Sequence, residues 1–298
     1  MSSELPQEDN AKGASKISAF ITLSKPRILV LVVLMTAAGY FLGGESIDPV
    51  GRFAITLFAT ALSSAGAAAL NNLLECESDL LMERTRSRAI PSGVIKPGEA
   101  LLFGSLLALS GAFILALWVN LLTGFVSLLT TFLYVAVYTP LKRISWWNTV
   151  IGAVPGALPP LGGWCAATGE VGLGAWLVFL MLFIWQHPHF YAIAWMYRDD
   201  YARGGFRMLP VEYPDGVRTF RQALGFSIVL IPVSVLPYIF GVAGGVYCIG
   251  VIILGVWMLS CSVRLWRSRS IADARGLLQA SVIYLTLFFA LIVCDRSL

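Results

Sequence analysis

Apolar residues run along this chain in long, nearly unbroken stretches rather than at the short intervals that mark a half-buried helix or strand. Crossing about 30 Å of hydrocarbon as a helix takes roughly 20 mostly apolar residues. Stretches of that kind recur at 27–44, 53–72, 99–118, 121–138, 148–167, 173–195, 222–241, 244–262 and 276–294. The pattern predicts an all-α polytopic bundle of about nine transmembrane helices. Val154-Pro155-Gly156 and Leu158-Pro159-Pro160 fall inside the fifth stretch, where breaks are tolerated if neighbouring helices cover the freed backbone groups. The first 18 residues are polar, partly acidic and lack the apolar core of a signal peptide. They are expected to form a cytoplasmic tail, with a single transmembrane domain over residues 19–298.

Charge supports that count. With the N-terminus inside, 19 of the 21 Lys and Arg residues fall on inner segments, and only Arg52 and Arg296 lie outside. The positive-inside rule demands such a bias, and an error of one span midway would scramble it. The expected location is a bacterial cytoplasmic membrane. Composition agrees: 57% of residues are hydrophobic and 13% charged, against about a quarter charged in a globular domain. Disordered chains, coiled coils and ordinary soluble enzymes are thereby excluded. The net charge of +4 is accounted for by topogenic loops and does not imply nucleic acid. Five scattered cysteines without a CxxC pair are read as buried apolar residues, not as disulfides or a zinc site.

Chemistry is expected on two long polar inner loops, 73–98 and 196–221, which carry eight of the 17 acids. Asn71, Glu75 and Asp79 follow at i, i+4 and i+8, so a helix continuing past the membrane surface would set them on one face within about 12 Å. Such oxygens repel unless a cation lies between them, and hard divalent ions such as Mg²⁺ suit them. Arg84, Arg86 and Arg88 follow, able to clamp phosphate oxygens. A solvated helix extension with ordinary surface ion pairs is the plainer alternative. The companion acids Asp199, Asp200, Glu212 and Asp215 favour the first reading, because acid-bearing loops over an apolar bundle suit a substrate with a diphosphate head and a lipid tail. His187 and His189 flank Pro188 at the end of the sixth stretch. Imidazole there could ligate iron, move a proton or bind a carboxylate, or simply sit in an aromatic belt. Pro188 is expected to open the helix locally. Tyr138-Thr139-Pro140-Leu141-Lys142-Arg143 is either a turn with topogenic charges or a pair of cations for phosphate or propionate.

At these residues the sequence resembles the UbiA-type intramembrane prenyltransferases. Asn71-x₃-Glu75-x₃-Asp79-x₂-Met82-x-Arg84-Thr85-x₂-Arg88 is similar to the family's first acidic motif. Pro188-His189-Phe190 with Asp200-Tyr201 and Met208-Leu209-Pro210 is similar to the second region of its haem-farnesylating branch. The resemblance runs from Lys25 to the C-terminus. It implies farnesyl diphosphate and haem b as substrates, haem O as product and Mg²⁺ as cofactor. It further implies a metal held by Glu75 and Asp79 with help from Asp200, and Asn71 orienting the metal or the diphosphate. Arg84, Arg88, Lys142 and Arg143 would bind phosphate oxygens, and His189, more than His187, would contact haem or manage a proton. The lipid bilayer is the medium, and a haem A synthase or terminal-oxidase assembly is a candidate protein partner. Two departures stand out. Glu75 replaces an Asp of quinone-prenylating relatives, and the second DxxxD motif is missing, since Arg203 and Gly204 follow Asp199 and Asp200 at i+4. A single metal is therefore expected. Two other readings remain: the same fold acting on an aromatic quinone precursor, and a secondary transporter.

Overall fold

A computed structural model describes residues 16–44 and 49–296. Most of the expected N-terminal tail, residues 1–15, lies outside the described residues. The helices follow in the order α1 (Lys16–Leu23), α2 (Pro26–Gly43), α3 (Val50–Leu74), α4 (Cys76–Leu81), α5 (Pro97–Trp118), α6 (Leu121–Phe132) and α7 (Thr139–Ile144). After them come α8 (Asn148–Thr168), α9 (Leu173–Met196), α10 (Arg198–Arg203), α11 (Leu209–Glu212), α12 (Val217–Ile239), α13 (Gly245–Ser268) and α14 (Ile271–Cys294). A π-helical segment, Leu133–Tyr138, joins α6 to α7. Among the described residues the only extended pairing is an isolated bridge between Ala243 and Arg296.

Nine helical spans among the described residues are long and apolar enough to cross a membrane, the fourth running through the π segment from Leu121 to Ile144. Each coincides with one predicted stretch. Boundaries move where helical hydrogen bonding continues past the apolar run, as from residue 138 through Lys142 to Ile144 in the fourth span. Leu102, Leu106, Leu109 and Phe113 stand exposed along α5, which is the lipid-facing surface such a bundle requires.

The predicted breaks at proline do not occur. Pro155, Pro159 and Pro160 lie inside an uninterrupted α8, and Pro188 inside an uninterrupted α9. Close neighbours hold these segments. A Cβ on Gly39 of α2 would fall 1.9 Å from the Pro160 carbonyl oxygen, so α2 lies directly against the proline-rich turn of α8. The same device fixes α3: a Cβ on Gly66 would fall 2.3 Å from the Ala108 amide nitrogen of α5. Small residues let membrane helices approach closely enough for dispersion contacts to hold them. α9 is the most enclosed span. Its Met181, Leu182 and Trp185 share one core with Phe220 of α12, Val251 of α13 and Tyr284 and Phe288 of α14. The described cysteines are all free, but only Cys165 and Cys261 are buried, and Cys294 is exposed. The last three spans place Cys294 at a helix end, beyond the packed core.

Because α3 carries the acidic row at its inner end, its seat on α5 matters. Gly66→Val should destabilise the folded protein by about 1–3 kcal/mol through overpacking. Gly51→Val, where no atom lies within 4 Å of the added Cβ, should leave the melting temperature unchanged. Thermal melts of both variants in detergent, followed by size-exclusion fluorescence, check this.

Candidate functional site

α3 ends at Leu74, and Glu75 joins it to α4 with a backbone bent to φ −91° and ψ −2°. The i→i+4 register nevertheless survives the joint, because the Glu75 amide donates to the Asn71 carbonyl (3.0 Å) and the Asp79 amide to the Glu75 carbonyl (2.8 Å). Asn71, Glu75 and Asp79 therefore share a face, as the spacing predicts. They are not solvated: Asn71 and Asp79 are 0% exposed and Glu75 is 6% exposed.

Three cations make that burial tolerable. Lys142 lies 2.6 Å from Glu75 Oε1, and Arg88 lies 2.7 Å from Asp79 Oδ2 and 4.0 Å from Glu75 Oε2. Lys25 Nζ donates to Asn71 Oδ1 at 2.6 Å. The Asn71 amide nitrogen then donates to Glu75 Oε1 (3.0 Å) and to Thr139 Oγ1 (2.9 Å), which fixes which way the amide points. Burial works against the Glu75 charge, but Lys142 and Lys25 outweigh it and hold the carboxyl below its usual range. Burial pushes the Lys25 ammonium down to about 7, with Arg88 and Lys142 repelling it and Glu75 opposing the shift. One atom is left over: Asp79 Oδ1 is buried without a hydrogen-bond partner.

Local sequence explains each delivery. Lys25 precedes Pro26 and adopts φ 51°, a left-handed conformation rare for a residue with a Cβ. That turn between α1 and α2 is pinned by Asn72, whose amide donates to the Leu23 carbonyl at 3.0 Å. Pro140 has no amide hydrogen and its ring would strike the Ala136 carbonyl in a regular helix. The π segment widens the turn just before it, a common solution at functional sites. Thr139 then donates both its amide and its hydroxyl (2.8 Å) to the Tyr134 carbonyl, while its hydroxyl oxygen receives Asn71. Tyr134 and Tyr138 stack at 5.7 Å, and Lys142 Nζ lies 4.6 Å from the Tyr138 ring centre on its way to Glu75.

The loop after α4 returns Arg88 to Asp79. Thr85 Oγ1 donates to the Asp79 carbonyl, and Met82 is buried with Ala194, Phe206 and Met208. Asp200 of α10 accepts the Glu83 amide (2.9 Å), the Arg84 amide (3.4 Å) and the Arg203 guanidinium (2.7 Å). Desolvation opposes its charge, but Arg203 and the two amides keep its carboxyl below the usual range. These contacts make Asp200 a brace for the loop and lend no support to the expected metal ligand. Arg84 sits over the rings of Tyr197 and Tyr201, at 4.9 and 5.9 Å, and Arg143 turns outward to Ser78 and Glu77. The acidic row is thus joined directly to Arg88 and Lys142, but not to Arg84, Arg143 or Asp200.

The histidines form a separate group on α9. His189 lies seven residues before the end of that helix, about 10 Å deeper along its axis. Its Nδ1 meets Ser281 Oγ at 2.7 Å, and Ser281 spends its only hydroxyl proton on the Leu278 carbonyl. His189 Nδ1 must therefore carry the hydrogen, leaving a lone pair on Nε2. The ring stacks on Trp185, whose indole donates to the Ser281 carbonyl. His187 is fully buried against Phe226, with ring centres 3.8 Å apart. Its Nδ1 donates to the Phe183 carbonyl, and its Nε2 is buried without a partner.

Sequence reasoning placed Lys25 only among the topogenic charges. The signal available was its position immediately before Pro26 at a span boundary. Thr139 lay inside the Tyr138–Arg143 motif without a role of its own, and Ser281 is a hydroxyl inside an apolar run.

Comparison with known proteins follows the same lines. The model of the UbiA prenyltransferase family matches residues 32–292. The chain belongs to the UbiA prenyltransferase family. Within it, this member is 44% identical over 287 residues to a protoheme IX farnesyltransferase of Solibacter usitatus, covering 93% of this chain and 98% of the relative. It is also 44% identical over 276 residues to a protoheme IX farnesyltransferase of Salinibacter ruber, again covering 93% and 98%. The fold is shared with the solved structure of a UbiA homolog from Archaeoglobus fulgidus bound to GPP and Mg²⁺. That likeness has a TM-score of 0.66 at 16% identity, over 92% of this chain and 99% of the other.

Lys142→Met removes the short partner of Glu75 and leaves Arg88 at 4.0 Å as its nearest carboxylate-directed cation. The loss should be about 3–5 kcal/mol, as for other broken buried pairs. Adding Glu75→Gln to that variant should restore much of the stability, which a double-mutant cycle of thermal melts would read.

Proposed function

We propose that this UbiA family member converts haem b to haem O in a bacterial cytoplasmic membrane. In the balanced reaction the farnesyl C1–O bond breaks, C1 bonds to the terminal carbon of a haem vinyl group, and water supplies the hydroxyl on the adjacent carbon. Diphosphate and a proton leave. The observation that carries the reading is the buried Asn71–Glu75–Asp79 row with Lys25, Arg88 and Lys142 around it. It occurs in a chain 44% identical to a protoheme IX farnesyltransferase over nearly its whole length. The inner face of the bundle, to which 19 of 21 basic residues belong in the N-inside topology, is read as cytoplasmic.

The donor set fits Mg²⁺. It consists of oxygens alone, and the orphaned, buried Asp79 Oδ1 has room in its hydrogen-bonding for a hard cation. Glu75 and Asp79 would hold the ion, with the Asn71 amide oxygen beside them. When bound, Mg²⁺ supplies Lewis-acid neutralisation of charge developing on the leaving diphosphate. Arg88 and Lys142, already oriented by the two carboxylates, bind phosphate oxygens and stabilise the same charge without reorganising. Arg84 and Arg143 stand further out, suited to steering an anion toward the row. Tyr134 and Tyr138 present aromatic faces beside the row, where ring electrons stabilise a passing allylic cation. Asp200 keeps the Glu83–Arg84 backbone in place for Arg88. His189 offers Nε2 to the haem, while His187, enclosed by Phe183, Tyr191 and Phe226, supports the wall behind it.

Glu75→Ala or Asp79→Ala should abolish haem O formation while the protein still inserts in the membrane. The measurement is mass spectrometry of the product from purified protein, farnesyl diphosphate and either haem b or 4-hydroxybenzoate. Farnesyl addition to the second acceptor and not to haem would assign a quinone-precursor reaction instead. His189→Ala should weaken haem binding about tenfold or more, the scale of losing one directed polar contact. Unchanged affinity in a spectrophotometric haem titration would return His189 to the aromatic belt.

A further inference from the structure

Each residue of the acidic row already faces a cation supplied by the protein, and only Asp79 Oδ1 is left without a partner. Lys142 is 2.6 Å from Glu75, Arg88 is 2.7 Å from Asp79, and Lys25 is 2.6 Å from the Asn71 amide oxygen. With Lys25 protonated, three positive side chains face two carboxylates, a surplus of one positive charge. The three cations are not equivalent. Lys142 and Arg88 are ion-paired, whereas Lys25 is bonded to a neutral amide, the weakest of the three anchors. It also sits on a turn held in the left-handed region, at φ 51°.

A bare divalent ion approaching this row would increase a positive surplus and compete with an ammonium group for Asn71 Oδ1. An ion arriving with a prenyl diphosphate brings net negative charge, since the diphosphate carries roughly three negative charges against the two positive charges of the metal. It also offers Lys25 new oxygens to replace the amide.

We infer that Lys25 is a built-in place-holder: its ammonium occupies the Asn71 oxygen in the empty enzyme and yields it only to a metal accompanied by diphosphate. The metal and the prenyl diphosphate then bind as a unit, and the row does not load with metal alone. Lys25 acts here as a positioning residue that sets the order of binding. The inference rests on the metal reading above.

The test is Mn²⁺ binding by the full-length protein in detergent, read by electron paramagnetic resonance with and without farnesyl S-thiolodiphosphate, which resists ionisation. Wild type should bind Mn²⁺ about 100-fold more tightly with the analogue than without it, the scale of a strong coupling between sites. Lys25→Met should bind Mn²⁺ alone about tenfold more tightly than wild type, a difference of about 1.4 kcal/mol. Lys25→Gln provides the same comparison with a polar replacement on the strained turn. Lys16→Met removes the cation at the start of α1, paired with Glu99 at 2.6 Å, and should change neither affinity. Equal Mn²⁺ affinity in wild type with and without the analogue would overturn the inference, as would Lys25 variants no tighter than wild type for Mn²⁺ alone. Either result leaves the metal reading standing. Absence of Mn²⁺ binding under both conditions would remove the metal reading and this inference with it.

Discussion

Two carboxylates that leave water at the inner end of a membrane span must be met by cations at hydrogen-bonding distance, and much of this structure is arranged around that requirement. Glu75 and Asp79 are almost fully buried, and an ion taken out of water without a partner costs several kcal/mol after relaxation. Each of the three answering cations arrives from a different part of the chain. Lys25 comes from the turn before the second helix, Arg88 from the loop after the acidic row, and Lys142 from the fourth span beyond its π segment. The unusual backbone features of the inner face, a left-handed lysine and a widened helical turn before proline, lie where two of these cations are delivered.

Such a cluster suits displacement of a diphosphate. The donors are oriented before substrate arrives, so little reorganisation is needed when negative charge develops on a leaving group. Their enclosure limits access of water to a reactive allylic species. The neighbouring aromatic pair, Tyr134 and Tyr138, is placed by the same π turn whose Tyr134 carbonyl holds the Thr139 hydroxyl that receives Asn71. One local irregularity therefore serves both the polar and the aromatic sides of the site. Asp200 contributes at one remove, by accepting two backbone amides of the loop that carries Arg88.

The histidines show how far local reasoning reaches. Their presence at membrane depth marked them, because ionisable groups there are costly and tend to serve function. Their difference could not be read from Trp185-Gln186-His187-Pro188-His189, since it depends on partners far along the chain. Ser281, 92 positions later, sets the tautomer of His189, whereas Phe226 covers the ring of His187. Proline was the opposite case. Pro188 and the three prolines of α8 suggested breaks, but helix neighbours packed as closely as Gly39 against Pro160 keep the helices continuous.

Hydropathy and charge by themselves determined the nine spans, because the cost of unsatisfied backbone in hydrocarbon leaves the chain no other way to cross. Four-residue spacing likewise determined that Asn71, Glu75 and Asp79 share a face, since helical register survives the bend at Glu75. Only the tertiary structure decided which cations meet that face. Lys25, Arg88 and Lys142 are drawn from segments up to 67 positions away from the carboxylates they serve, while Arg84 and Arg143, equally basic in sequence, pair elsewhere. Local rules of periodicity act within a few residues, whereas electrostatic pairing in a buried site depends on which segments the packing of the bundle brings together.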